Sequence, residues 1–145
     1  MLLRADTRVD LIRGLPLFEL CSKRDLRRIA ALADEREIAA GTELIREGEP
    51  GSEFYVVVDG EVDVRRRGRR VARLGAGSYV GEIALLSRSP RTATVVATTP
   101  LRVLAIEGRD FVELLDSLPE LWLKVARALA DRVDADEAAE ALTRA

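Results

Sequence analysis

The chain of 145 residues has no histidine, and its only cysteine is Cys21. With one thiol and no imidazole it can close no internal disulfide, and it has too few soft ligands for a zinc site. No nucleophile and base pair presents itself either, so an enzyme is not expected. Cys21 reads as a small buried or half-buried hydrophobe in a reducing compartment. Long apolar runs are also missing. No stretch approaches the roughly twenty apolar residues of a membrane helix, and the first residues lack an apolar signal core. A membrane span and secretion are therefore not expected, and the expected location is cytoplasmic. An excess of one charge is absent as well: 23 Lys and Arg against 25 Asp and Glu leave a net charge of −2. That balance argues against a nucleic-acid or anionic-membrane partner. What remains, 48% hydrophobic and 33% charged residues, suits one globular domain with a sizeable core.

Along the chain, helical signals flank a central β region. Val9 to Leu15 reads as a short helix ended near Pro16. Ser22 followed by Asp25 resembles a capping box, opening a helix that buries Leu26, Ile29, Leu32 and Ala33. From Ile38 to Ile106 the pattern changes to short runs rich in Val, Ile and Tyr, punctuated by glycines, as in a sandwich or jelly roll. The basic run Arg65-Arg66-Arg67-Gly68-Arg69-Arg70 lies between Val62-x-Val64 and Val71-x-x-Leu74, and it reads as a solvated hairpin turn. After Gly108 the chain is helical again. Asp110 to Leu115 forms one short helix, and Ser117 with Glu120 forms a capping box around Pro119 that opens a longer one. The stripe of that second helix runs Leu118, Leu121, Trp122, Val125, Leu129 and Val133, with Arg132 on the same face.

The most informative stretch is Val80 to Thr94. Gly81, at the foot of an apolar, helix-favouring run, lets the backbone come close to a ligand, and the helix start beyond it offers free N–H groups to an anion. Glu82 can accept hydrogen bonds from a sugar hydroxyl, while Arg91, after Pro90, presents a planar fork to phosphate oxygens. Taken singly, Glu82 is a common first-turn charge and Arg91 a common surface cation. Together they describe a pocket for a phosphate joined to a ribose.

The sequence Gly81-Glu82-x-Ala84-Leu85, a short spacer, then Arg91-Thr92-Ala93-x-Val95 resembles the phosphate-binding cassette of cyclic-nucleotide-binding domains. These occur in kinase regulatory subunits, the catabolite activator and nucleotide-gated channels. Leu44 to Gly60 carries a second signature of the family, with glycines where its strands turn. The family usually has an aromatic residue just before the Gly-Glu pair, whereas here Val80 stands there and Tyr79 precedes it. The resemblance covers about Leu15 to Val133 and implies a mainly β fold with flanking helices. This is a double-stranded β-helix (jelly roll) with N-terminal helices, an internal cassette helix and two C-terminal lid helices. The expected segments, within a single domain, are 1–37 (helical), 38–107 (the roll, with the cassette at 79–94) and 108–145 (lid helices and acidic tail).

The resemblance also implies roles. Gly81 contacts the ribose phosphate, Glu82 accepts from the ribose 2′-hydroxyl, Arg91 pairs with the cyclic phosphate, and the N–H groups of Ile83 and Ala84 add anion donors. Thr92 adds a hydroxyl near the phosphate or base; it resembles cGMP-responsive members, although channel-type domains with the same threonine bind cAMP well. Val64, Ala72 and Leu74 form the apolar wall beside the base. Arg132, with Trp122 or Leu129 as alternatives, closes over the base from the last helix. The implied protein is a regulatory module that takes cAMP, with cGMP as a second candidate ligand, needs no cofactor and acts on an output domain or partner protein. A helix-turn-helix output is not expected, since only the acidic, alanine-rich Asp134–Ala145 follows the last helix. The competing reading is a degenerate roll that binds no nucleotide; such relatives typically lose the acid or the arginine, and this chain keeps Glu82 and Arg91.

Overall fold

A computed structural model describes residues 5–81, 90–127 and 130. Two helices open the chain, α1 (Ala5–Arg13) and α2 (Lys23–Leu32), joined through a 3-10 turn at Pro16–Phe18. Pro16 thus starts a turn as well as ending a helix, its fixed φ being suited to a first helical position. The Ser22 hydroxyl accepts from the Asp25 amide at 3.1 Å, so α2 is capped as its sequence implies. At the other end of α2, Arg8 Nη1 donates to the carbonyls of Ala30 and Ala33. There a cation meets the negative end of the helix dipole.

Eight strands follow among the described residues: β1 (Asp34–Ile38), β2 (Glu43–Ile45), β3 (Glu53–Asp59), β4 (Val62–Arg66), β5 (Arg69–Leu74), β6 (Tyr79–Val80), β7 (Thr94–Ala97) and β8 (Leu101–Glu107). They form two four-stranded antiparallel sheets, ordered β1-β8-β3-β6 and β2-β7-β4-β5, a jelly-roll sandwich. The first strand precedes the change of pattern at Ile38, because Asp34-Glu-Arg-Glu-Ile is charged and pairs with β8 over its whole length. The basic run is the expected hairpin: Arg67 and Gly68 have φ of 53° and 78°, and Arg66 pairs with Arg69 across the turn.

Strands β3 and β8 are buried on both faces, which is why they read as continuous apolar runs. Phe54, Val56, Leu104 and Ile106 face the helices in one core, while Tyr55, Val57, Val103 and Ala105 face the opposite sheet in another. Phe54 stacks on Phe111 at a centroid distance of 4.1 Å, fixing α3 (Gly108–Ser117) to the outside of the roll.

The C-terminal capping box does not form. Ser117 closes α3 instead of opening the next helix: its hydroxyl donates back to the carbonyls of Glu113 and Leu114 and accepts from Arg28 Nη1 at 2.6 Å. The chain turns at Leu118 and is helical again over 119–127. Of the predicted stripe, Leu118, Leu121 and Val125 are buried, but Trp122 is 45% exposed, so it lies off the packed face. Leu129 and Val133 are outside the described residues.

Candidate functional site

The site is built where β6, β3 and the lead-in to β7 converge. Gly81 follows β6 with φ of 99°, a conformation that costs side-chain-bearing residues energy. Close approach constrains it further: a Cβ there would lie 2.7 Å from Arg91 Nη1 and 2.9 Å from the Glu53 carbonyl. Only glycine lets the guanidinium lie against this backbone.

Arg91 is anchored at both ends. Its main chain pairs with the Arg46–Glu49 turn, the amide donating to the Glu49 carbonyl and the carbonyl accepting from Gly48, each at 2.8 Å. Its side chain donates from Nη1 to the Gly81 carbonyl at 2.8 Å and from Nη2 to the Glu53 carbonyl at 2.5 Å. Only 7% of the residue is exposed, and burial pushes the guanidinium down from its ordinary pKa, with Tyr55 and Glu53 pulling the other way. Among the described residues no carboxylate contacts it directly. A buried cation whose partners among the described residues are carbonyl dipoles has the electrostatics of a site for an anion.

Two elements of the surroundings escaped sequence reasoning. The Glu53 carboxylate lies under the Arg36 fork and the Tyr55 hydroxyl, and the Arg36 hydrogen bonds hold it below the usual carboxylate range. Arg66 Nε donates to the Thr92 carbonyl at 3.2 Å, placing a second cation beside the segment that carries Arg91. The only available signals were a glutamate ahead of the apolar run Phe54–Val58 and an arginine two residues beyond Val64, on the same strand face.

The remaining predicted residues fall into three groups. Gly81 and Arg91 are in direct contact, and Thr92, half-buried, follows at once. Val64, Ala72 and Leu74 share one face of the β4–β5 ribbon, Val64 opposite Ala72 and Leu74 opposite Val62, and Val64 and Leu74 pack on the core of the roll. Glu82, Ile83, Ala84 and Arg132 lie outside the described residues. No helix among the described residues is long and apolar enough to cross a membrane.

A roll of two four-stranded antiparallel sheets, with a nearly buried arginine held against Gly81 at the end of β6, defines a domain of the jelly-roll class. The chain belongs to the cyclic nucleotide-binding domain family, whose sequence profile matches residues 35–117. It is 40% identical over 108 residues to the Pycsar effector protein PaPycTIR of Pseudomonas aeruginosa, an alignment covering 74% of this chain and 35% of that protein. It is 38% identical over 113 residues to the cAMP-dependent protein kinase regulatory subunit of Eremothecium gossypii, covering 77% of this chain and 25% of that one. Among solved structures, the regulatory domain of Toxoplasma gondii PKA crystallised with cAMP superposes with a TM-score of 0.76 at 25% identity, covering 86% of this chain and 50% of that one. The chain thus spans between a quarter and about a third of the length of these two curated relatives.

Proposed function

We propose that this domain is a regulatory sensor that binds cAMP, with appreciable affinity for cGMP, and passes the signal on by closing its C-terminal helices over the base. The observation that carries this reading is Arg91, a nearly buried guanidinium held by the carbonyls of Gly81 and Glu53 with no carboxylate against it among the described residues. Such a cation gains most from an anion that brings its own charge. In this reading Arg91 takes the cyclic phosphate, and Gly81 admits ligand and guanidinium to the same backbone. Glu82 accepts from the ribose 2′-hydroxyl, and the amides of Ile83 and Ala84 donate to the phosphate. Val64, Ala72 and Leu74 cover one face of the base, Thr92 supplies the hydroxyl that favours cGMP, and Arg132 closes from the last helix.

The segments 1–37, 38–107 and 108–145 would then be the helical base, the binding roll with its cassette at 79–94, and the lid. The partner would be an output domain or separate protein in the cytoplasm, and the domain itself would carry out no chemistry. That the T. gondii PKA domain was crystallised with cAMP supports the choice of ligand.

Calorimetric titration with cAMP and cGMP tests the reading. The wild type should bind both, and Arg91→Ala should weaken both by roughly a hundredfold or more, the cost of removing a charge-assisted pair from a desolvated site. Thr92→Ala should lower the cGMP/cAMP affinity ratio. A wild type that takes up neither nucleotide leaves the degenerate-roll reading standing.

A further inference from the structure

Glu53 holds two guanidinium groups with two different parts of itself. Its main-chain carbonyl accepts from Arg91 Nη2 at 2.5 Å. Its side chain is occupied from elsewhere: Arg36 Nη1 donates to Oε1 at 2.9 Å, Arg36 Nη2 to Oε2 at 2.7 Å, and the Tyr55 hydroxyl to Oε1 at 3.1 Å. Arg36 stands on β1, which β8 separates from β3, so its side chain crosses the intervening strand to reach the carboxylate. It is steadied on the way by Asp34 Oδ2, to which its Nε donates at 2.8 Å. The result is a row of alternating charges, Asp34, Arg36, Glu53 and Arg91, ending at the recess.

We propose that Arg36 is a positioning residue for ligand binding: by taking both oxygens of Glu53 in a bidentate fork, it keeps that carboxylate from pairing with Arg91. The inference rests on the reading of Arg91 as the phosphate partner. Among the described residues Glu53 is the acid that acts on Arg91 through space, and its own carbonyl is one that Arg91 already touches. Released from Arg36, a side chain with three rotatable bonds would be free to turn toward Arg91, which its charge already acts on. There it would act as an internal counter-ion, competing with any anionic ligand for the same fork. Arg36 thus serves by preventing a pair from forming, a role that its distance from the recess conceals.

The experiment is a calorimetric titration of the full chain with cAMP for the wild type, R36Q, E53Q and the double variant R36Q/E53Q. R36Q should bind on the order of tenfold more weakly, the scale of one modest ionic competition. E53Q should stay within about threefold of the wild type, and the double variant should recover to the same range, because glutamine brings no charge to compete. That rescue separates positioning from mere support, since R36Q and the double variant both lack the ion pair. Should R36Q fail to fold, Arg36→Lys carries the same test. It loses the bidentate fork but keeps the charge, so it should bind about threefold more weakly and be restored by adding E53Q. The proposal is overturned if R36Q binds as tightly as the wild type, or if the double variant stays as weak as R36Q. A wild type that binds no cAMP would instead overturn the phosphate reading, and this inference with it.

Discussion

At the residue scale, the recess depends on backbone as much as on side chains. Gly81 combines a φ of 99° with a Cβ direction that points into Arg91 Nη1, so two separate costs oppose any substitution there. Gly81→Ala should destabilise the fold by about 1–3 kcal/mol, the range for a strained backbone position. It should weaken cyclic-nucleotide binding more than that loss explains, because the added methyl must displace the guanidinium. Thermal unfolding and calorimetry on one sample separate the two effects; normal affinity in a folded Gly81→Ala variant would refute the steric argument. Gly81 and Arg91 were legible in the sequence because both lie within one short, recognisable spacing. Glu53 and Arg36 were not. Glu53 contributes a carbonyl, which every residue possesses, and Arg36 acts from a strand brought near only by the order β1-β8-β3. No local pattern encodes either fact.

At the scale of elements, the same four-residue signature was right once and wrong once, for a physical reason. Ser22 stands after a turn with an extended backbone, ψ of 163°, so its hydroxyl is free to accept from Asp25. Ser117 stands at the end of an existing helix, where its hydroxyl donates back to the carbonyls of Glu113 and Leu114 and accepts from Arg28 Nη1 instead of from an amide of the next helix. Pro119, which needs no amide partner, then starts the new helix without a side-chain cap. The β4–β5 hairpin was legible because glycine and charge mark its turn, and the same arginines suit β5 as the edge strand of its sheet. One residue there is not optimal. Arg67 is the only described non-glycine residue with positive φ, 53°, in a two-residue turn whose second residue is also left-handed. Asparagine tolerates that conformation better and, followed by glycine, is favoured in such turns. Arg67→Asn should therefore stabilise the domain by about 0.5–1 kcal/mol, read as a raised denaturant midpoint at unchanged slope. An unchanged or lowered midpoint would mean that the arginine side chain contributes more than its strained backbone costs.

For the whole molecule, the sheet containing β3 and β8 is the wall between two cores, and this limits how a ligand signal can travel. Val64 and Leu74, proposed to face the base, pack on the roll-side core, whereas Leu114, Leu118, Leu121 and Val125 of the C-terminal helices share the other core with Ile12 of α1 and Leu26 and Ile29 of α2. Leu121 and Val125 are only 2% and 0% exposed, so swinging 119–127 away alone would expose apolar surface at about 25 cal/mol per Å². The Lys124 ammonium adds a second tie, donating to the Pro16 carbonyl and to Glu19. The proposed closure over the base is therefore cheapest if the N-terminal and C-terminal helices move as one packed body against the sheet. Saturating cAMP should then change amide exchange in α1, α2 and 109–127 together, while the interior strands β3 and β8 stay protected throughout. If exchange changed over 109–127 but not in α1 and α2, the C-terminal helices would have to move alone and the packed-body argument would fail. If it changed in none of them, binding would be local to the roll and the closing motion would have to be abandoned.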